Sequence, residues 1–245
     1  MKYFYFFLRE FFFPKGCGLC GEALFESEDA HFGLCSGCRT LLSSALGLEK
    51  RCNVCGKALI SETGNCLICR KQEGTYSEHI EKLKCIFPYS GRYIKLLASF
   101  KFNKSMGVGN YFICCLINAL KSFKEEEIRN AVLVPVPPRP GKLKKQGWDQ
   151  VEYLAKGLEK SSDFPYGPLP IVRCLKRLPS RSQKELNKNE RGANLKGRII
   201  CRKMPGDTAI LFDDVLTTGA TLNACASALI ESGCKRVIGI CLFYD

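Results

Sequence analysis

Residues 208–222, Thr-Ala-Ile-Leu-Phe-Asp-Asp-Val-Leu-Thr-Thr-Gly-Ala-Thr-Leu, leave a chain few ways to fold. Residues 209–212 and Val215 read as a buried strand of a parallel sheet, and two adjacent carboxylates, Asp213 and Asp214, stand at its carboxyl end. A short turn follows, built from Thr217, Thr218, Gly219 and Thr221. Ala224, Ala228 and Leu229 then belong to a helix that stops at Ser232-Gly233, where glycine takes the left-handed cap conformation without strain. The order strand, acidic pair, turn, helix predicts an α/β domain whose polar groups gather at one strand end.

That order has a chemical use. The first N–H groups of a helix have no intrahelical acceptor, and the helix dipole adds partial positive charge there, so backbone donors and threonine hydroxyls together suit a phosphate. Carboxylates just upstream accept hydrogen bonds from vicinal hydroxyls or hold a magnesium-bridged sugar. A 5-phosphorylated ribose fits both, although aspartates at a strand end also serve as simple turn caps. The stretch resembles the phosphoribosyl diphosphate signature of type I phosphoribosyltransferases. The resemblance implies a Rossmann-like parallel-sheet domain in which Asp213 and Asp214 are catalytic and face the ribose 2- and 3-hydroxyls. It also implies that Leu216, Thr217, Thr218, Gly219, Ala220 and Thr221 wrap the 5-phosphate.

Eight of the sixteen cysteines form four CxxC pairs, Cys17/Cys20, Cys35/Cys38, Cys52/Cys55 and Cys66/Cys69. Within each half the spacing is CxxC, 14 or 10 residues, CxxC, which reads as a duplicated four-cysteine zinc ribbon over residues 17–69. One or two structural zinc ions follow, with sequential or cross-braced pairing of the cysteines both open. A site filled by four thiolates keeps no position for substrate, so no catalysis is expected of it. His31, between ligand pairs, offers a substitute ligand or a plain surface residue. The other eight cysteines sit in mostly apolar segments as small core residues, and the pattern as a whole indicates a reducing, cytoplasmic setting.

The formal charge of +13 points to phosphorylated or nucleic-acid partners. Each zinc held by four thiolates carries a net −2, so two such sites would leave about +9. Residues 1–16 predict a short aromatic helix. Arg9-Glu10 splits its apolar runs, which fall far short of the roughly 20 residues a membrane span needs, so no integral membrane protein is expected. Residues 70–83 read as a polar linker, and the larger domain spans 84–245.

In that domain residues 84–89 and 131–137 read as strands, and 93–101 and 109–123 as helices with apolar stripes. A third strand is expected at 171–175 and a last one at 236–244. After the second strand comes a loop of basic and glycine residues, 138–147, where ligands of open α/β sheets bind. Arg139, Lys142, Lys144 and Lys145 in it suit a pyrophosphate. Residues 176–203 carry ten basic residues against Glu185 and Glu190.

Here the resemblance narrows to ComF-type competence proteins, on the Val-Pro-Val-Pro strand, the loop ending Gln146-Gly147-Trp148-Asp149-Gln150, and Ser182-Gln183, Leu186, Glu190-Arg191 and Asn194 in order. Gln146 and Asp149 depart from the family's arginine and asparagine, which lowers the local positive charge. The resemblance implies a double zinc ribbon before a phosphoribosyltransferase domain that binds phosphoribosyl diphosphate with magnesium. It implies a role in DNA uptake for natural transformation beside a helicase-like ATPase or other uptake and recombination proteins. The basic stretch then serves as a loop closing over the diphosphate or as a contact for single-stranded DNA. The competing reading is a non-catalytic single-stranded-DNA-binding module with a vestigial or sensory diphosphate site. No aromatic beyond Phe243 and Tyr244 follows the last strand to stack on a nucleobase.

Overall fold

A parallel sheet carries the site. Its four described strands are β1 (Lys82–Pro88), β2 (Val132–Pro135), β5 (Thr208–Leu216) and β6 (Arg236–Tyr244), in the order β1-β6-β5-β2. All neighbours pair parallel, with Cys85 opposite Cys241, Phe212 opposite Ile240 and Pro135 opposite Phe212. The structure is a computed structural model that describes residues 15–47, 50–71, 76–161, 164, 169–179 and 197–245. The expected aromatic helix through Pro14 and the Ser182 to Asn194 pattern lie outside the described residues.

The chain folds as two compact units, residues 1–49 with 89–115, and residues 50–88 with 116–245. The two four-cysteine clusters fall in different units. In the first unit, helix α1 (Ser27–Phe32) follows the Cys17/Cys20 knuckle and α2 (Ser36–Gly47) carries Cys38. Helix α4 (Arg92–Lys101) and the start of α5 (Met106–Lys121) belong to the same unit. Backbones touch here. A side chain on Gly107 would lie 2.5 Å from the Gly33 nitrogen, so only glycine allows the approach. Asn110 Nδ2 donates to the His31 carbonyl at 3.0 Å, and Phe100 packs edge-on against Phe112.

In the second unit, α3 (Leu67–Lys71) closes the second cysteine cluster, α6 (Glu125–Ile128) precedes β2, and α7 (Lys142–Gln146) and α8 (Gln150–Glu159) follow it. A residue series buried almost throughout explains β5 and β6. Ala209, Ile210, Leu211 and Phe212 are fully buried, as are Ile238, Ile240, Cys241, Leu242 and Phe243. Central parallel strands covered on both faces read as continuous apolar runs for this reason. Helix α9 (Ala220–Glu231) packs Leu222, Cys225, Ala226 and Leu229 into the same core as Leu211 and Val134.

The expected third strand at 171–175 does not form as such. Ile171 makes a single parallel bridge to Leu133, and the chain then enters β3 (Leu175–Arg177), antiparallel to β4 (Ile199–Cys201). Arg173, inside the expected strand, turns out to Glu152 at 3.0 Å and Glu159 at 3.4 Å. The turn and helix of residues 142–146 replace part of the expected loop.

The second cluster closes the outer edge of the sheet. Leu83 N–H donates to Val54 O at 2.6 Å, and Arg51 Nη1 donates to Cys85 O at 2.9 Å. Ala58 N–H donates to the Tyr244 hydroxyl at 3.1 Å. An exposed strand edge invites pairing with other chains, and these bonds remove that option for β1. Truncating the centre of β5, Phe212→Ala, is expected to destabilise the chain by about 3–5 kcal/mol in chemical denaturation. A loss under about 1 kcal/mol would contradict the placement of this ring.

Candidate functional site

Proline sets the site's position. Val136 N–H makes the last β2 bond to β5, to Phe212 O at 2.8 Å, and Pro137 and Pro138 have no N–H to continue the ladder. Strand β5 runs four residues further, paired on its other side with β6 up to Leu216 opposite Tyr244. Asp213 and Asp214 therefore stand where β5 has lost its β2 neighbour. Both are half-buried, and Asp214 N–H donates to Asp213 Oδ1 at 2.8 Å.

The turn after β5 is tight. Leu216 is buried in the core, so it offers a ligand only its backbone, while Thr217 is exposed and Thr218 and Thr221 are half-buried. Gly219 caps α9 with φ of 75°, a left-handed conformation that glycine takes at no steric cost. Ala220 N–H lies 3.4 Å from Thr218 Oγ1, and the first helical bond runs from Asn223 N–H to Gly219 O at 2.8 Å. The N–H groups ahead of Asn223 have no intrahelical acceptor, which is the donor set a phosphate takes.

The basic loop is less free than its composition suggests. Lys142 Nζ sits 2.6 Å from Asp149 Oδ2 and 2.6 Å from Gln150 Oε1, both of them buried. Two of its three donors are thus taken. Asp149 also caps α8 by accepting from Glu152 N–H at 2.9 Å. Arg139, Lys144 and Lys145 of this stretch are exposed.

Arg177 joins them, a residue missed in the sequence because it is one cation in a basic run. It is buried at the end of β3, and its Nε has no hydrogen-bond partner among the described residues. Burial first, and then the like charge of Arg139, pull its guanidinium below the usual range, with the Asp213 carboxylate acting the other way. Two guanidiniums close enough to repel each other are a pair that an anion would stabilise. Tyr76 was missed as well, since residues 70–83 look like linker. Its hydroxyl lies so close to Gly219 that a Cβ there would meet it at 2.3 Å.

The cysteines come together as two sets of four, Cys17, Cys20, Cys35 and Cys38, and Cys52, Cys55, Cys66 and Cys69. This is the sequential grouping. Within each set the sulfurs lie within 4.8 Å of one another, and Cys20 to Cys35 and Cys55 to Cys66 are both 3.8 Å apart. Thiolates about 2.3 Å from a tetrahedral zinc stand about 3.8 Å apart, so the donor sets fit that ion. Cys35 N–H donates to Cys17 Sγ at 3.4 Å and Cys66 N–H to Cys52 Sγ at 3.3 Å. Burial pushes the Cys17 and Cys52 thiols up, but such backbone donors outweigh it and bring each down to about 7. His31 is exposed and outside both sets.

Comparison with known proteins fits this picture. No protein-family model matches the chain. It is 27% identical to competence protein F of Haemophilus influenzae, over 92% of this chain and 95% of that protein. It is 28% identical to competence protein ComFC of Streptococcus pneumoniae, over 90% and 96%. It is 38% identical to the bifunctional protein PyrR of Brevibacillus brevis over 61 residues, 25% of this chain and 34% of that protein. The fold and the two cysteine sets define a phosphoribosyltransferase-like α/β protein with two zinc-ribbon-like clusters. The similarity to the competence proteins runs along nearly the chain's whole length.

Removing the buried carboxylate tests the loop. Asp149→Ala takes away a helix cap and strands Lys142, and is expected to cost about 2–4 kcal/mol in denaturant unfolding. Asp149→Asn keeps the cap and is expected to cost about half as much. Equal costs would contradict the ion pair.

Proposed function

We propose that the carboxyl end of β5 binds phosphoribosyl diphosphate with magnesium, and that the protein serves competence, for which its relatives are named, through DNA uptake in the cytoplasm. One observation carries the binding reading. Asp213 and Asp214 stand at the carboxyl end of β5, the N–H groups ahead of Asn223 follow on the same turn, and Arg177, on β3 of the second sheet, interacts electrostatically with both Asp213 and Arg139, which follows β2. Each matches one part of the ligand. The carboxylates accept from the ribose 2- and 3-hydroxyls, the turn 217–221 takes the 5-phosphate, and the guanidiniums face the diphosphate.

Transfer would break the bond between ribose C1 and the diphosphate oxygen as an acceptor attacks C1. Arg139 and Arg177, with Lys144 and Lys145 nearby, would stabilise the charge that grows on the leaving pyrophosphate. Asp213 and Asp214 would hold magnesium together with the ligand, and the ion would offset part of the diphosphate charge. Phe243 and Tyr244 do not supply a nucleobase platform. Phe243 is fully buried with its ring 5.3 Å from that of Phe87, and Tyr244 accepts from Ala58. The acceptor therefore meets other groups than the last strand's aromatics. Structural zinc fills both cysteine sets in this reading, and no membrane-spanning helix is present among the described residues.

Calorimetry with phosphoribosyl diphosphate and magnesium is expected to show binding to the wild type and at least a tenfold loss in the Asp213→Ala, Asp214→Ala double variant. Equal binding by the two would sink the assignment. Metal analysis of freshly purified protein is expected to find two zinc ions per chain, falling to one in Cys69→Ser. A metal-free wild type would rule out the zinc reading.

A further inference from the structure

Tyr76 stands between two features that the sequence keeps far apart. Its ring packs against Cys52, Val54, Cys55 and Cys69, the core of the second cysteine cluster. It also packs against the main core that holds Leu216, Leu222 and Cys225. Its hydroxyl reaches the backbone of Gly219 at the start of α9, where a Cβ would stand 2.3 Å from the oxygen. Contact that close needs glycine on one side and a ring held still on the other.

Several bonds hold it. Tyr76 N–H is shared between Ile80 O at 3.1 Å and Glu81 O at 3.2 Å, and Glu81 N–H donates to Val237 O of β6 at 3.0 Å. The backbone of Tyr76 is thereby fixed to the sheet, and its ring is wedged under the turn by the cysteine cluster. Burial, first among the causes, raises the phenol above its ordinary range, so the hydroxyl keeps its proton. Gly219 is the residue whose φ of 75° aims the following N–H groups. Any shift of the ring changes what the turn presents to a ligand.

We propose that Tyr76 is a positioning residue for the 217–221 turn, and that through it the second cysteine cluster sets the affinity of that turn for a sugar 5-phosphate. This rests on the reading of the turn as the phosphate site. Four thiolates closed on zinc hold Cys52, Cys55 and Cys69 in place, and with them one wall of the Tyr76 pocket. Opening the cluster frees the ring. The effect is selective, because pyrophosphate would meet Arg139 and Arg177 rather than the turn. It is also specific to one cluster, since Cys17, Cys20, Cys35 and Cys38 belong to the other unit.

The test uses the full chain and two probes, ribose 5-phosphate and pyrophosphate with magnesium, titrated by calorimetry. In Tyr76→Ala and in Cys69→Ser, ribose 5-phosphate affinity is expected to fall about tenfold, within the usual range for coupled sites, while pyrophosphate affinity stays within about twofold. Tyr76→Phe, which keeps the ring, is expected to recover most of the loss, and Cys38→Ser to leave both probes unchanged. An equal fall for both probes, or no fall for either, overturns the proposal. Hydrogen exchange of ligand-free protein separates this from the function itself. Amides of residues 217–221 are expected to exchange faster in Tyr76→Ala than in wild type. If the wild type binds neither probe, the phosphate reading fails, and unchanged exchange in the variant then removes the positioning role too.

Discussion

The site depends on one strand outlasting its neighbour. Strand β2 ends because Pro137 and Pro138 cannot donate to the ladder, while β5 continues on β6 for four residues beyond Phe212. Asp213 and Asp214 fall on that unaccompanied length. The Val-Pro-Val-Pro run therefore bounds the proposed ligand crevice as well as contributing a stretch of buried strand. It places the open edge of β5 at the carboxyl end of the sheet, where α/β folds bind ligands.

The second cysteine cluster has a structural part beyond its own folding. It supplies the partners for Leu83 N–H and Cys85 C=O on the outer edge of β1, and Lys57 Nζ donates to the carbonyl of Asp245 at 2.7 Å. The sheet thus ends in a small four-cysteine module at one side and in the Ile171 bridge at the other. A module of some twenty residues has little core of its own. Its cysteine donors and its bonds to β1 are what keep it in place.

Much of the fold was legible because its signals are local. The apolar runs 209–212 and 237–243 could only be central strands, and the periodic stripes of Leu96, Leu97 and Phe100 and of Phe112, Leu116 and Leu120 could only face a core. CxxC pairs are recognisable by their spacing, though which pairs share a site is settled only by the fold, and the acidic pair with its turn is contiguous and so could be read directly. What escaped is non-local. Strand β3 has three residues, two of them Lys176 and Arg177, and no pattern marks it as paired with β4. Tyr76 looks like a linker residue until the chain brings it to Gly219, 143 positions away in number. Lys142 looks like a ligand cation until Asp149, seven residues on, is seen to hold it. Charge patterning records how many cations a loop has and not which are already paired.

A crystal structure of the full chain with phosphoribosyl diphosphate and magnesium bears most directly on the carboxyl end of β5 as a sugar-phosphate site. The expected result is the 5-phosphate against the backbone N–H groups of residues 217–221, with the ribose hydroxyls within hydrogen-bond reach of Asp213 and Asp214. Ligand held elsewhere, with that turn and those carboxylates untouched, would contradict it.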